Sequence, residues 1–529
     1  VVRIVGMAEG GGAVLVEDDA VVAWSPQPGA GVPWAALERC LHDVGWGRDS
    51  VDAIALAGAY KPLLLRKRPL LEQLASAPLS PIRAVSSAWQ ALARRTGAGA
   101  FAADVTAEWL AEEAAQRGLS PRRTAMVDVQ HALAEAGYRL QPWDEAVILG
   151  LHPHGDGAAL AVHVARAGQI DQTFIQPGFE ALHAHLDRML QALGLPVGGL
   201  RSLGMLAAGA APDEALRSLL AGELAAEPPG LSRSAWWPAS RGDDPLLRRL
   251  RELPRTVAAA SVSANLLDAI VAVAEHHLAL HGIDHLILVG DIAEDPWRVA
   301  ALTARLSVGR ITVPPSPGAI AAAFGAACDE AGLSPRAMDW RVASPPERPR
   351  SPVPTGRQEG WLPRLLAGEP VVRWREASGV DPVGLGERAV LVLAEDAGAV
   401  DDVRRRLGRP RHEPTTVLLP ASSVEGLGGS ARDALAWGGV AVALPPALEA
   451  CAGGDGRAPV IAVEASRQPT LAAMLESLRG RAKVPALAAF PVAEGESAGA
   501  LVLEDALKVW ARLGRGAFLG PSGLWERDR

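Results

Sequence analysis

Residues 149–157 read L-G-L-H-P-H-G-D-G, so His152, His154 and Asp156 fall at every second position. Alternate residues of a strand share one face. Two imidazoles and a carboxylate at that spacing can ligate one divalent cation. A polar turn between two strands accounts for the same residues with no ligand at all. A similar run, His183-Ala184-His185-Leu186-Asp187, falls where a helix is predicted. There i and i+2 point to different sides, and chance explains it.

The elements that would carry these residues follow from hydrophobic period and turn signals. Val2–Val5, Gly12–Val16 and Ala20–Trp24 read as a three-strand meander with a turn at Glu17-Asp18-Asp19. Val32–Val44 reads as a helix, with Leu37, Leu41 and Val44 on one face, and Val51–Leu56 as a further strand. Ala146–Leu151 and Ala158–Val164 repeat the meander, with a helix predicted over 178–193. The echo points to two related lobes. A long helix over 256–281 leads into the strand His285–Val289 and the helix Ala319–Glu330. Residues 208–256 are rich in Ala, Pro and Arg and give no clear period. Six prolines in 334–357 mark a linker, because proline fixes φ and lacks a backbone donor. Beyond it, Ala389–Leu393, Thr416–Leu419, Val440–Leu444 and Val460–Val463 read as strands between helices. The fold class is therefore α/β, in two domains.

Composition narrows the function classes. The chain has 529 residues, 49% of them apolar and 21% charged, in the range of a globular protein. A net charge of −8 gives no support to a nucleic-acid partner. The three cysteines, Cys40, Cys328 and Cys451, show no metal-type spacing and leave one over from any pair. Reduced thiols and a cytoplasmic location are expected. The start, V-V-R-I-V-G, is strand-like and carries no signal-peptide pattern. The apolar helix near 258–274 contains Ser261, Asn265 and Asp268, so a core helix is expected and no membrane span. The 15 tryptophans, among them Trp236, Trp237, Trp340, Trp361, Trp374 and Trp437, suit either a protein contact or core packing.

Several stretches, taken in order, resemble the nodulation-type O-carbamoyltransferases. V-P-W-A-A-L-E-R-C-L (32–41) resembles the family's F-P-x-x-A-I-x-x-C-L. Y-K-P-L-L-L-R-K-R-P-L-L-E (60–72) is similar to K-P-x-L-K-F-E-R-x-L-E, and 315–327 to P-x-x-G-D-x-G-x-A-x-G-A-A. L-L-A-G-E-P-V-V-R-W-R-E (365–376) and G-L-G-E-R-A-V-L (384–391) resemble the entry to its second domain. The resemblance implies a two-lobed actin/RNase H-like (ASKHA-type) domain over 1–340, a Pro-rich linker over 341–359, and a YrdC-like α/β domain over 360–529. In that family the second domain makes carbamoyl adenylate from carbamoyl phosphate and ATP. The first passes the carbamoyl group to a hydroxyl with the help of a bound metal.

The resemblance fails where that chemistry would sit. The family's metal site needs histidines at i and i+4 plus an aspartate; here His131 remains, while Val127 and Ala319 stand at the other two places. The family's phosphate loop D-G-x-G-E falls on L-H-P-H-G (151–155), where a proline removes an N–H donor. The pattern of His152, His154 and Asp156 also resembles the H-x-H-x-D-H of metallo-hydrolases, with Gly157 in place of the last histidine. The loop G-G-V-A-L-N becomes G-D-I-A-E-D (290–295), bringing Asp291 in. In the second domain Arg388 and Glu413 match adenylate-site residues, while Val383, His412 and Thr416 replace arginines. Neither valine nor threonine can copy arginine's bidentate grip on a phosphate.

The resulting expectation is a homologue that has lost most metal-, phosphate- and adenylate-binding residues. It would be a non-catalytic binding or scaffold subunit beside an active carbamoyltransferase or another copy of itself, with no cofactor. Arg388 and Glu413 would then be vestiges of an adenylate site, or an ordinary ion pair. The alternative is a divergent, active O-carbamoyltransferase. It would use ATP, carbamoyl phosphate and a divalent metal held by His131 with His152 or His154, and act on a hydroxyl of a sugar or natural product.

Overall fold

The computed structural model describes all residues except 19, 28–30, 69–70, 72–80, 97, 178–181, 196–199, 232–243, 315–318, 333–359, 375–387, 411–412, 467, 493–502, 521–522 and 527–529. The chain divides into two compact units, Val1–Arg341 and Val342–Arg529. The proline-rich stretch 334–357 lies outside the described residues.

Among its described residues the first unit holds two five-stranded sheets of one topology. The first contains β1 (Arg3–Ala8), β2 (Gly12–Glu17), β3 (Ala20–Pro26), β4 (Ala53–Ala57) and β5 (Arg123–Val127), in the order β3-β2-β1-β4-β5. The meander pairs are antiparallel; β1–β4 and β4–β5 are parallel. The second sheet contains β6 (Glu145–Gly155), β7 (Ala158–Arg166) and β8 (Gln169–Pro177). After a small hairpin, β9 (Ala226–Glu227) and β10 (Gly230–Leu231), it adds β11 (His285–Gly290) and β12 (Arg310–Thr312). Its order, β12-β11-β6-β7-β8, repeats the first sheet, again with an antiparallel meander and two parallel strands. Two such sheets in tandem make this unit an actin-like, two-lobed α/β fold.

The strands are apolar because both faces are covered. Ile4 to Ala8 are all buried, and Val5, Met7, Leu15, Leu37, Ile54, Leu56 and Leu110 form one core in the first lobe. Two helices cross between the lobes. Val129–Arg139 packs on β6, β7 and β11, while Ala319–Ala331 packs on β1, β2 and β4, and the two pack on each other. Glycine permits the crossing. A Cβ at Gly325 would lie 1.6 Å from the Ala132 carbonyl oxygen, and one at Gly6 would lie 1.9 Å from that of Ala323.

The stretch with no readable period forms the helices Glu214–Glu223 and Pro245–Glu252 beside the small hairpin. The helix Arg255–His281 is long and apolar enough to cross a membrane. Its polar residues are tied into the protein. Ser261 Oγ donates to the Val257 carbonyl at 2.8 Å, and Asn265 Nδ2 to that of Leu224 at 3.0 Å.

Among its described residues the second unit contains one mixed sheet of eight strands. They are β13 (Val371–Trp374), β14 (Arg388–Leu393), β15 (Thr416–Pro420), β16 (Ala441–Ala443), β17 (Arg457–Val463), β18 (Leu487–Pro491), β19 (Ala517–Gly520) and β20 (Gly523–Glu526). Their order is β16-β17-β15-β18-β14-β13-β19-β20.

Candidate metal centre at the helix crossing

The first crossing helix begins at Asp128, whose Oδ1 accepts from the backbone N–H of Gln130 at 2.7 Å and of His131 at 3.4 Å. This N-cap satisfies two of the donors that a helix start leaves open. It fixes the first turn, and with it the place of His131. Glu135 lies one turn on, on the same face. The second crossing helix brings Asp329 to the pair. His131 Nε2 is 3.3 Å from Asp329 Oδ1 and 3.8 Å from Glu135 Oε1. Arg139 holds the Glu135 carboxylate from behind, with Nε donating to Oε2 at 2.7 Å and Nη2 to Oε1 at 3.3 Å.

The ligand atoms of His131, Glu135 and Asp329 all lie within 4.8 Å of one another. An ion with bonds of about 2.1 Å in tetrahedral array holds its ligand atoms about 3.4 Å apart, so this donor set fits a divalent cation with little movement. Asp329 is 40% exposed and Glu135 is buried, which leaves one open side. Burial opposes charge on His131, but the hydrogen bond and charge of Asp329, with Glu135 and Asp128, outweigh it and raise the imidazole above its ordinary value. The pocket therefore already favours positive charge.

His163 on β7 faces the same helix. Its ring centroid is 5.8 Å from that of His131. It is 1% exposed, and among the described residues neither ring nitrogen has a hydrogen-bond partner. Buried polar atoms left unpaired cost on the order of 1–3 kcal/mol each. Burial first, then the neighbouring His131, pushes its pKa down to about 3, so the ring is neutral.

The hairpin after β6 behaves differently. His152 Nδ1 lies 2.8 Å from Asp291 Oδ1, in the turn that follows β11. Burial disfavours the charged ring, yet Asp291 raises its pKa on balance. Asp156 sits at φ 48° and turns its carboxylate away. Its Oδ1 accepts from Tyr60 N at 3.2 Å and its Oδ2 from Val129 N at 3.0 Å, while its carbonyl accepts from Arg94 Nε at 2.7 Å. The tip of the second lobe's hairpin is thus bonded to the first lobe and to the start of the crossing helix. Burial, with the Asp128 charge next, pushes Asp156 up to about 6. The side chain of His154 lies outside the described residues. His152 and Asp156 serve separate bonds, and among the described residues neither joins His131 in the three-donor group.

Asp291 has further company at the end of β11. Asp295 caps the next helix by accepting from Trp297 N at 3.0 Å, and its Oδ2 is 3.2 Å from Arg298 Nη2, both side chains fully buried. In the second unit, Arg388 opens β14, buried, with its guanidinium carbon 5.1 Å from the centroid of the Trp374 ring. Glu413 pairs with Arg409, four residues earlier in the chain. Val383 and His412 lie outside the described residues.

The expectation that most metal-binding residues are gone is overturned by this triad, and with it the argument from ligand loss on which the scaffold reading stood. The error has a physical source. Absence of a histidine at Val127 and of an aspartate at Ala319 removes one arrangement of ligands, whereas helix geometry offers another face. Glu135 was readable as the i+4 neighbour of His131. Asp329 and His163 were not, since only the packing of Ala319–Ala331 and β7 against the first crossing helix brings them there.

No known family model and no curated protein matches the chain. Solved structures that align with it include three proteins, two of them described with a bound nucleotide analogue. The activator of 2-hydroxyisocaproyl-CoA dehydratase from Clostridium difficile, with bound ADPNP, is 14% identical over 62% of this chain and 96% of its own, with a TM-score of 0.35. Component A of (R)-2-hydroxyglutaryl-CoA dehydratase from Acidaminococcus fermentans is 12% identical over 63% and 100%, also at 0.35. A ROK family glucokinase from Streptomyces griseus, in complex with glucose and AMPPNP, is 13% identical over 61% and 98%, at 0.30. Overlaps this loose define no family; the fold assignment rests on strand order and direction in the two sheets.

Proposed function

We propose that the chain is a divalent-cation-dependent group-transfer enzyme, a divergent O-carbamoyltransferase whose cation sits at His131, Glu135 and Asp329. The observation that carries this reading is the convergence of those three donors where the two helices cross. The ordered resemblance along the chain supports the choice of carbamoyl transfer, and the repeated sheets support a two-lobed transfer domain. A bound divalent ion would supply Lewis-acid activation of a hydroxyl or carbonyl oxygen.

The chain's own residues divide the remaining work. Arg139 fixes Glu135, and the Asp128 cap fixes the helix start that carries His131. The exposed side of Asp329 leaves room for an acceptor hydroxyl. The hairpin and the loop after β11 do not fit a nucleotide's phosphates. Asp291 places a carboxylate there, and Pro153 lacks an N–H. No step of this reading runs through a nucleotide at those loops. Residues 360–529 are proposed as a YrdC-like domain that prepares the carbamoyl group from ATP and carbamoyl phosphate, with Arg388 as an anchor.

The test is carbamoyl-phosphate-dependent ATP–pyrophosphate exchange, followed by transfer of labelled carbamoyl to hydroxyl acceptors. Expected is exchange by the wild type and by Asp329→Ala, with transfer only by the wild type and only with a divalent ion present. Transfer by Asp329→Ala at the wild-type rate, or no exchange at all, would overturn the reading.

A further inference from the structure

Arg94 joins three parts of the first unit. It stands near the end of the helix Pro81–Arg95, which packs on the helix Ala98–Gln116 and through it on β5 of the first lobe. Its Nε donates to the Asp156 carbonyl at 2.7 Å, at the tip of the second lobe's hairpin. Its Nη2 pairs with Asp128 Oδ2, at the start of the first crossing helix. The guanidinium carbon lies 4.7 Å from the centroid of the Tyr60 ring, and the Tyr60 N–H is itself a donor to Asp156. The Arg94 side chain is 9% exposed, so water and salt screen the pair little.

The hairpin tip has no slack against this helix. A Cβ at Gly157 would lie 2.5 Å from the Gln90 Cβ and 2.7 Å from the Ala91 backbone nitrogen. A shift of one lobe must therefore move Arg94 or break its bond to the tip. The two oxygens of Asp128 divide their work. Oδ2 holds Arg94, while Oδ1 caps the crossing helix and accepts from the N–H of Gln130 and of His131. Two bonds thus lead from the guanidinium to the backbone of His131. Arginine's planar fork holds a carbonyl and a carboxylate at fixed angles, which the single ammonium of lysine does not.

We infer that Arg94 is a positioning residue that couples the posture of the two lobes to the cation site: parting of the lobes draws on the Asp128 cap, and through the cap on His131. This inference rests on the proposed function, because it needs the cation at His131, Glu135 and Asp329. The coupling is reciprocal, so an ion at that site in turn favours the clasped lobes. The open side at Asp329 stays free for an acceptor hydroxyl.

The experiment is a double-mutant cycle in zinc affinity, read by competition with a chromophoric chelator on full-length, untagged, metal-stripped protein. Gly157→Ala is the wedge that lifts the hairpin tip from the helix. Arg94→Met keeps the packing of the stem and removes the fork. Each single variant is expected to bind zinc about fivefold more weakly or worse. The double variant should bind no more weakly than Arg94→Met alone, since without the guanidinium a displaced tip no longer reaches the cap. Arg94→Lys should recover most of the stability in unfolding curves yet stay weakened in zinc affinity. Those curves also show that each variant is folded. Additive losses in the double variant, or wild-type affinity in folded Arg94→Met or Arg94→Lys, would overturn the coupling and leave the three-donor site intact. Absence of Asp329-dependent zinc binding in the wild type would overturn the three-donor site itself, and the coupling with it.

Discussion

Two places in the first unit bring histidine and carboxylate together, and they do opposite things with them. At the β6–β7 hairpin, His152 turns to Asp291 and Asp156 turns to the N–H groups of Tyr60 and Val129. Each donor is consumed by its own bond, and the result is a clasp between lobes. At the helix crossing, the ligand atoms of His131, Glu135 and Asp329 lie close together, and Arg139 competes for the Glu135 carboxylate. Composition is the same in both. Convergence separates a ligand site from a structural one.

That contrast can be broken first at the crossing itself. Gly325→Val places side-chain atoms where the Ala132 carbonyl lies, so the helices must part. A loss of about 3 kcal/mol or more is expected from overpacking, read as a fall in chemical-denaturation midpoint, with metal binding lost as well. Next, the clasp carries a pH signature. The folded pKa of Asp156 is raised to about 6 from 3.8, so the folded state holds a proton that the unfolded chain releases. Stability therefore falls as pH rises from about 4 to 6, by on the order of 2–3 kcal/mol. Asp156→Asn should flatten that slope in a pH series of unfolding curves; an identical slope would show that the clasp is not the source.

A smaller effect comes from His152. Its folded pKa is raised by Asp291, so its contribution is full below the unfolded value near 6.5 and is lost as pH rises through the higher folded value. His152→Gln should remove that decline in the same unfolding series while leaving metal content unchanged. The smallest effect is expected in the second unit. Glu413→Ala removes the ion pair with Arg409 and should cost below about 1 kcal/mol. A larger loss of ATP–pyrophosphate exchange than of stability would mark Glu413 as part of the donor-forming site.

Much of the scaffold is legible in the chain because it follows from period alone. The meander at Val2–Val5, Gly12–Val16 and Ala20–Trp24 recurs at Ala146–Leu151 and Ala158–Val164, and both sheets form on it. The helix predicted over 178–193 forms as Leu182–Ala192. Legibility ends where contacts are long-range. His152, His154 and Asp156 look like a site because alternation along a strand is visible, yet the turn at Asp156 sends its carboxylate to the other lobe. His131 looks bereft because its expected partner is Val127, while its actual neighbours are one turn on and on a helix far along the chain. A motif read for one ligand geometry is blind to another geometry on the same helix.

Metal content of untagged protein after dialysis against zinc, for the wild type, Asp329→Asn and His152→Ala, tests whether the cation sits at the helix crossing. One equivalent is expected in the wild type and in His152→Ala, and a loss of at least about tenfold in affinity in Asp329→Asn. An ion retained by Asp329→Asn and lost from His152→Ala would move the site to the hairpin and contradict that placement.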